Sequence, residues 1–157
     1  MRQIPKEALD LIRRFEGLRL KAYNDPSGIL TIGYGHTRTA REGMTISRNE
    51  AERLLMEDAA YAASIVEKSV NVPLTDGQFA ALIDFVFNVG AGAKGIKSGF
   101  VMLKDGSPST LLKELNSCNY DAVPEQLLKW TRAGGAVLQG LVKRRKAEIE
   151  LWNDAKA

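Results

Sequence analysis

At 157 residues the chain falls within the roughly 100–200 residues typical of one domain, and 45% hydrophobic with 26% charged residues excludes a disordered or low-complexity protein. The formal charge of +3 is too mild to mark a nucleic-acid binder, although it suits an anionic polymer. The single cysteine, Cys118, excludes an intramolecular disulfide, and the single histidine, His36, excludes a metal site built from several His and Cys ligands.

From Pro5 to Phe15, the residues Ala8, Leu11, Ile12 and Phe15 follow the spacing of one helical face, with Pro5 in the first turn, which predicts a short amphipathic helix ending near Glu16-Gly17. The texture then shortens into β-prone pieces, Leu20 to Tyr23 and Ile29 to Tyr34, punctuated by Asn24-Asp25-Pro26-Ser27-Gly28 and by Gly33, Gly35 and Gly43. A small antiparallel sheet is expected, its first turn running from Asp25 to Gly28. Ser47 with Glu50 reads as a capping box for a long helix ending near Ser69, whose buried face carries Ala51, Leu54, Leu55, Ala62, Ile65 and Val66. Thr75 with Gln78 reads as a second box, and Phe79 to Val89 is apolar nearly all round, as suits the central helix of a bundle.

The Gly-rich stretch from Gly90 to Ser107 has no clear period and reads as a surface excursion. Ser107-Pro108 reads as an N-cap and first-turn pair for a helix over Ser109 to Leu115, and two further helices are expected near Ala122 to Trp130 and Leu141 to Trp152. The run Lys143-Arg144-Arg145-Lys146 is followed at helical spacing by Glu148 and Glu150, so a solvated, charge-paired helix face is expected rather than a nucleic-acid contact. No apolar run approaches the ~20 residues that span a bilayer. Arg2, Lys6, Glu7, Asp10, Arg13 and Arg14 occupy the place of a signal h-region, so neither an export address nor stable membrane insertion is expected.

Two acids stand in contrasting settings. Glu16 ends an apolar helical stripe that favours a proton-holding carboxyl, whereas Asp25 lies in a polar turn that favours the carboxylate. Such a pair suits acid and base work across a glycosidic bond, although a helix-ending Glu and a turn Asp are also common structural placements. Thr31 is an ordinary strand residue unless its hydroxyl reaches the same cleft. A lone histidine at the base of a hairpin is more often structural than catalytic, and a pairing of His36 with a carboxylate of the next helix, Asp58 first, is expected.

The stretch Phe15-Glu16-Gly17-Leu18-Arg19-Leu20-Lys21-Ala22-Tyr23-Asn24-Asp25, followed by Leu30-Thr31-Ile32-Gly33-Tyr34-Gly35-His36-Thr37, closely resembles the signature of the phage lysozymes, the endolysins of glycoside hydrolase family 24. The resemblance continues through Gly43-Met44-Thr45-Ile46, Phe87-Asn88-Val89-Gly90 and Ser109-Thr110-Leu111-Leu112. It closes with Trp130, Ala133-Gly134-Gly135 and Gly140 to Arg145, so it covers essentially the whole chain. One departure is plain: the segment from Lys94 to Pro108 lengthens a connection that is usually short in the family, and Lys97 or Lys104 within it are candidates to touch glycan or peptide stem.

The resemblance implies a mainly helical α+β, lysozyme-like fold in one catalytic domain over 1–157. Its small N-terminal lobe, about 1–68, carries an antiparallel β-hairpin and joins through a long helix to a larger helical lobe, about 69–157. It implies a muramidase that hydrolyses the β-1,4 bond between N-acetylmuramic acid and N-acetylglucosamine in bacterial peptidoglycan for host-cell lysis. Glu16 would be the general acid, and Asp25 and Thr31 would position and activate a water that inverts the anomeric carbon. An arginine of the last helix, Arg144 or Arg145, is implied near Glu16. No metal or organic cofactor, no nucleic acid and a monomeric state are expected, with the protein held in the host cytoplasm until holin-dependent release to the wall. The rivals are a lytic transglycosylase, which has no need of Asp25 and Thr31, and a noncatalytic wall-binding protein, which has no need of any of the three.

Overall fold

The computed structural model describes residues 1–154. Helix α1 (Lys6–Glu16) buries Ala8, Leu11 and Ile12 and stops where Gly17 adopts φ 69°, a left-handed conformation that costs glycine little, its N–H bonded to Arg13 O at 3.0 Å. Strands β1 (Arg19–Asn24) and β2 (Leu30–Gly33) then pair antiparallel, with Tyr23 opposite Thr31, Asn24 opposite Leu30, and an irregularity between Arg19 and Tyr23. The connection closes on Gly28 N–H to Asp25 O at 2.8 Å, the turn that the Asp-Pro-Ser-Gly sequence demands. Thr45 adds a short third edge by bridging to Lys21.

Helix α2 (Arg48–Ser69) starts at Ser47, whose hydroxyl accepts Glu50 N–H at 3.1 Å. The reciprocal half of the expected capping box is absent, because the Glu50 carboxylate turns to Arg53 Nε at 3.0 and 3.1 Å. Helix α3 (Asp76–Val89) has the complete box at Thr75 and Gln78. From Phe79 to Val86 every residue of α3 is buried, and the helix packs against α1, α2 and α6 as the axis of the molecule. The first helix of the chain therefore joins the helical lobe, while the hairpin stands beside it.

The segment after α3 differs from a surface excursion. Phe100 is fully buried and meets Phe85 edge-on at 6.1 Å. Gly92 and Gly99 approach so closely that a Cβ on Gly99 would lie 2.1 Å from Gly92 N. An aromatic anchor and a glycine crossing thus fasten the middle of this Gly-rich segment to the core.

Helix α4 (Thr110–Asn116) is capped by Ser109 and not by Ser107. Met102 bridges Pro108, so residue 108 belongs to the preceding segment, and the buried Ser109 hydroxyl accepts Leu112 N–H at 3.1 Å while donating to Phe100 O. A 3-10 turn (Tyr120–Ala122) and α5 (Val123–Leu127) follow, shorter than the helix expected there. Next comes a hairpin the sequence reading passed over, β3 (Arg132–Ala133) and β4 (Ala136–Val137), turning on Gly134 and Gly135 with φ of 60° and 82°. Helix α6 (Gln139–Asn153) closes the fold. Its basic run is a solvated face only in part: Lys143 and Lys146 are exposed, whereas Arg144 and Arg145 are buried.

Candidate active site

Glu16 is the last residue of α1, half-buried between two elements. On one side lies Gly35, where an added Cβ would fall 2.5 Å from Glu16 Oε1. On the other lies α6, whose Arg144 donates through Nη1 to Glu16 Oε2 at 2.7 Å. Of the two arginines the sequence offered, the structure selects Arg144. Its guanidinium is held from behind by Asp84 of α3, with Nε to Oδ2 at 2.9 Å and Nη2 to Oδ1 at 2.8 Å. That fork is the bidentate geometry in which a carboxylate best fixes a guanidinium.

Burial opposes charge on Arg144, but the hydrogen bonds and charge of Asp84, joined by Glu16, outweigh it and hold the guanidinium firmly protonated. Burial likewise opposes the Asp84 carboxylate, yet the hydrogen bond from Arg144 leads the interactions that keep it below the usual carboxylate range. Behind them, fully buried Glu148 accepts from Arg145 Nη2 at 3.0 Å. Burial, then a hydrogen bond with Asp84, pushes its carboxyl well above the usual range. Arg145 Nε and Glu148 Oε1 lie 2.8 Å apart, but neither atom makes a directed hydrogen bond. Three carboxyl groups, Glu16, Asp84 and Glu148, thus face two arginines in this cluster, and the pairing limits the cost of burying charge. Arg145 also donates to Asn88 Oδ1 at 2.7 Å.

Asp25 and Thr31 meet through one residue. Ile29 N–H donates to Asp25 Oδ1 at 2.8 Å, and Ile29 O accepts the Thr31 hydroxyl at 2.9 Å. Ser27 N–H also donates to Asp25 Oδ1, at 2.8 Å, which fixes the carboxylate at the hairpin tip. With its proton committed to Ile29 O, the Thr31 oxygen faces any further partner as an acceptor. A water donating to Thr31 and to Asp25 would have its own lone pair free to attack, the arrangement a general base requires.

His36 follows the hairpin and is buried, with Nδ1 2.7 Å from Asp58 Oδ2 and Nε2 2.7 Å from Thr39 Oγ1, the structural pairing expected. Beside it a groove of about 390 Å³ runs from Gly35 between α2 and the segment after α3. In the sequence Gly35 read only as a turn glycine and Glu148 as a surface charge partner, and Asp84 was missed altogether. Asp84 carried a usable signal: an ionisable residue in a helix apolar all round must find a charged or hydrogen-bonding partner. No group of three or more His, Cys, Asp or Glu among the described residues is arranged to hold a metal ion, and no helix among them is long and apolar enough to cross a membrane.

The family described as phage lysozyme matches residues 13–148. The chain is 38% identical over 156 residues to an endolysin of Acyrthosiphon pisum secondary endosymbiont phage 1, covering 97% of this chain and 99% of that one. It is 38% identical over 157 residues to an endolysin of Salmonella phage P22, with the same coverage of 97% and 99%. Among solved structures, an endolysin from Escherichia coli O157:H7 phage FAHEc1 superposes with a TM-score of 0.80 at 31% identity, covering 98% of this chain and 95% of that one.

Proposed function

The chain belongs to the phage lysozyme family, and from that premise we propose that Glu16, Asp25 and Thr31 carry its chemistry. It is a glycoside hydrolase of the muramidase type, acting as a phage endolysin on the peptidoglycan of the bacterial cell wall. The bond cut is the β-1,4 link between N-acetylmuramic acid and N-acetylglucosamine.

Glu16 protonates the leaving glycosidic oxygen, and the observation that carries this role is its placement. It ends a helix with Oε1 packed closely on Gly35, while Arg144 holds Oε2 in place, so both carboxyl oxygens are positioned. Oε1 faces Gly35 and is the atom available to carry the proton. Once the proton has left, the Arg144 guanidinium stabilises the carboxylate that remains. Asp25 and Thr31, tied through Ile29, hold the water that attacks the anomeric carbon from the opposite face, with inversion. A transglycosylase closes an anhydro ring without water, and the water-binding geometry of Asp25 and Thr31 would then serve nothing.

The described chain works as one catalytic domain, since the hairpin packs on α2 and α2 packs in turn on α3 of the helical lobe. It acts as a monomer without nucleic acid, and reaches the wall from the host cytoplasm by holin-dependent release.

The test is mass spectrometry of the soluble products from purified peptidoglycan, for wild type, Glu16→Gln and Thr31→Val. Hydrated, reducible muramic acid ends, lost in Glu16→Gln and sharply reduced in Thr31→Val, are expected. Anhydro ends would move the chain to the transglycosylases, and full activity in Glu16→Gln would remove Glu16 from the reaction.

A further inference from the structure

We propose that Lys97, in the lengthened segment after α3, binds the carboxylates of the peptide stem and makes the enzyme selective for glycan whose stems carry free acids. This rests on the peptidoglycan reading above and adds a recognition site to it. The groove that starts at Gly35, against Glu16, has its outer wall built from Ala93, Ile96 and Lys97. That wall is fixed: Ala93 N–H donates to Lys97 O at 2.8 Å and Lys97 N–H to Ala93 O at 3.0 Å. The Gly92–Gly99 crossing and buried Phe100 then tether it to the core.

The chemistry of the groove is asymmetric. On the opposite wall Arg38 is neutralised by Asp58, Nη2 to Oδ1 at 2.9 Å. Lys97 makes no ion pair among the described residues, and its ammonium rests over Gly90, where an added Cβ would lie 3.0 Å from Nζ. Ile96 and Tyr61, 74% and 61% exposed, give the rims an apolar character that surface loops seldom keep. Lys104, the other cation considered in this segment, does not line the groove.

In intact peptidoglycan the sugars are neutral and the lactyl group is closed in an amide, so the carboxylates lie on the stem peptide. A groove that begins at Gly35, the glycine packed on Glu16, with apolar rims and one cation outside any ion pair of the described residues, fits a peptide branch ending in acids. The segment from Lys94 to Pro108 thus extends recognition beyond the sugar chain.

The experiment compares kcat/KM on one peptidoglycan preparation in two forms, with stem carboxylates free and with the same carboxylates converted to amides. Wild type should prefer the free acid. Lys97→Ala should lower that preference about three- to tenfold, the scale of one partly exposed charge-assisted hydrogen bond, and Lys97→Arg should restore most of it. Lys113→Ala, exposed on α4 away from the groove, controls for general attraction of a cationic protein to an anionic wall. Equal losses on both forms in Lys97→Ala, or the same loss of preference in Lys113→Ala, would overturn the proposal. The preference is a ratio taken on whatever turnover the enzyme has, so it can fail while Glu16→Gln still abolishes cleavage, and it can hold if Glu16 proves dispensable.

Discussion

Arg144 is shared unequally between two carboxylates: Asp84 takes two of its nitrogens at 2.8 and 2.9 Å, and Glu16 takes the third at 2.7 Å. Asp84 has no access to solvent, so its only route to an ionised state in the interior is through this arginine and its neighbours. Truncating Arg144 to Ala therefore strands a buried carboxylate, at an expected cost of about 3–5 kcal/mol. The double variant Arg144→Ala/Asp84→Ala should be less destabilised than the sum of the two single changes, because it removes the stranded charge along with its partner. Urea unfolding of the four proteins measures both quantities, and a loss below about 1 kcal/mol in Arg144→Ala would show the pair to be energetically idle.

Gly35 and Gly17 both have left-handed backbones, φ 74° and 69°, but only Gly35 faces a reacting group. Alanine at either position should cost about 1 kcal/mol of stability through backbone strain. At Gly35 the new methyl group would also stand 2.5 Å from Glu16 Oε1 and displace the carboxylate, whereas at Gly17 it meets nothing within 4 Å. Misplacing a catalytic group by about 1 Å can cost roughly 100-fold in rate. Gly35→Ala should thus lose about two orders of magnitude in kcat with a melting temperature close to that of Gly17→Ala, which keeps near-normal turnover. Equal activities in the two variants would refute this division.

His36 holds two partners from inside the protein, Asp58 and the Thr39 hydroxyl. Removing the ring leaves both short of a hydrogen bond, so His36→Ala should lose about 1–3 kcal/mol while kcat of the folded fraction changes by less than about threefold. Denaturant unfolding and initial rates on the same samples separate the two effects. A variant of unchanged stability and collapsed turnover would make His36 a participant in the chemistry.

What the sequence disclosed follows the range of the forces involved. Caps, turns and the helical stripe of α1 are local, so Thr75-Gln78, Asp25-Gly28 and Ala8-Leu11-Ile12 could be read from adjacent residues. The partner of Glu16 could not: the resemblance offered Arg144 or Arg145, but Arg144 lies 128 positions away, and a run of four basic residues looks like a solvated face until its depth is known. The same limit hid Glu148, which at helical spacing from Arg144 reads as a surface ion-pair partner and instead sits fully buried beside Arg145. The Gly-rich segment misled for a related reason: Phe100 is a single apolar residue without period, and only the tertiary fit of Gly92 against Gly99 shows that it is anchored. The Gly134-Gly135 turn was passed over although its dipeptide is a local hairpin signal, because the strands on either side are only two residues long.

Glu148 gives the protein an unusual dependence on pH. Its folded carboxyl, buried and bonded to Asp84, keeps its proton where the unfolded chain would release one, near pH 4.3. Above that pH the folded state binds more protons than the unfolded state, so the contribution of Glu148 to stability falls as pH rises until the folded carboxyl itself ionises. Asp84 has the opposite sign: its lowered folded value lends stability above about pH 3.9, and that gain is lost as pH falls through the folded value. The groups facing Glu148 are Asp84 from α3 and Arg144 and Arg145 from its own helix, and both arginines stay charged across this range. Glutamine is close in shape to the protonated acid, can accept from Arg145 and donate to Asp84, and does not titrate. Glu148→Gln should therefore gain stability over wild type as pH rises from about 4.5 to about 8, the difference being smallest at the acid end. Urea unfolding at the two pH values decides the matter, since parallel pH curves for the two proteins would mean that Glu148 has already ionised in the folded state.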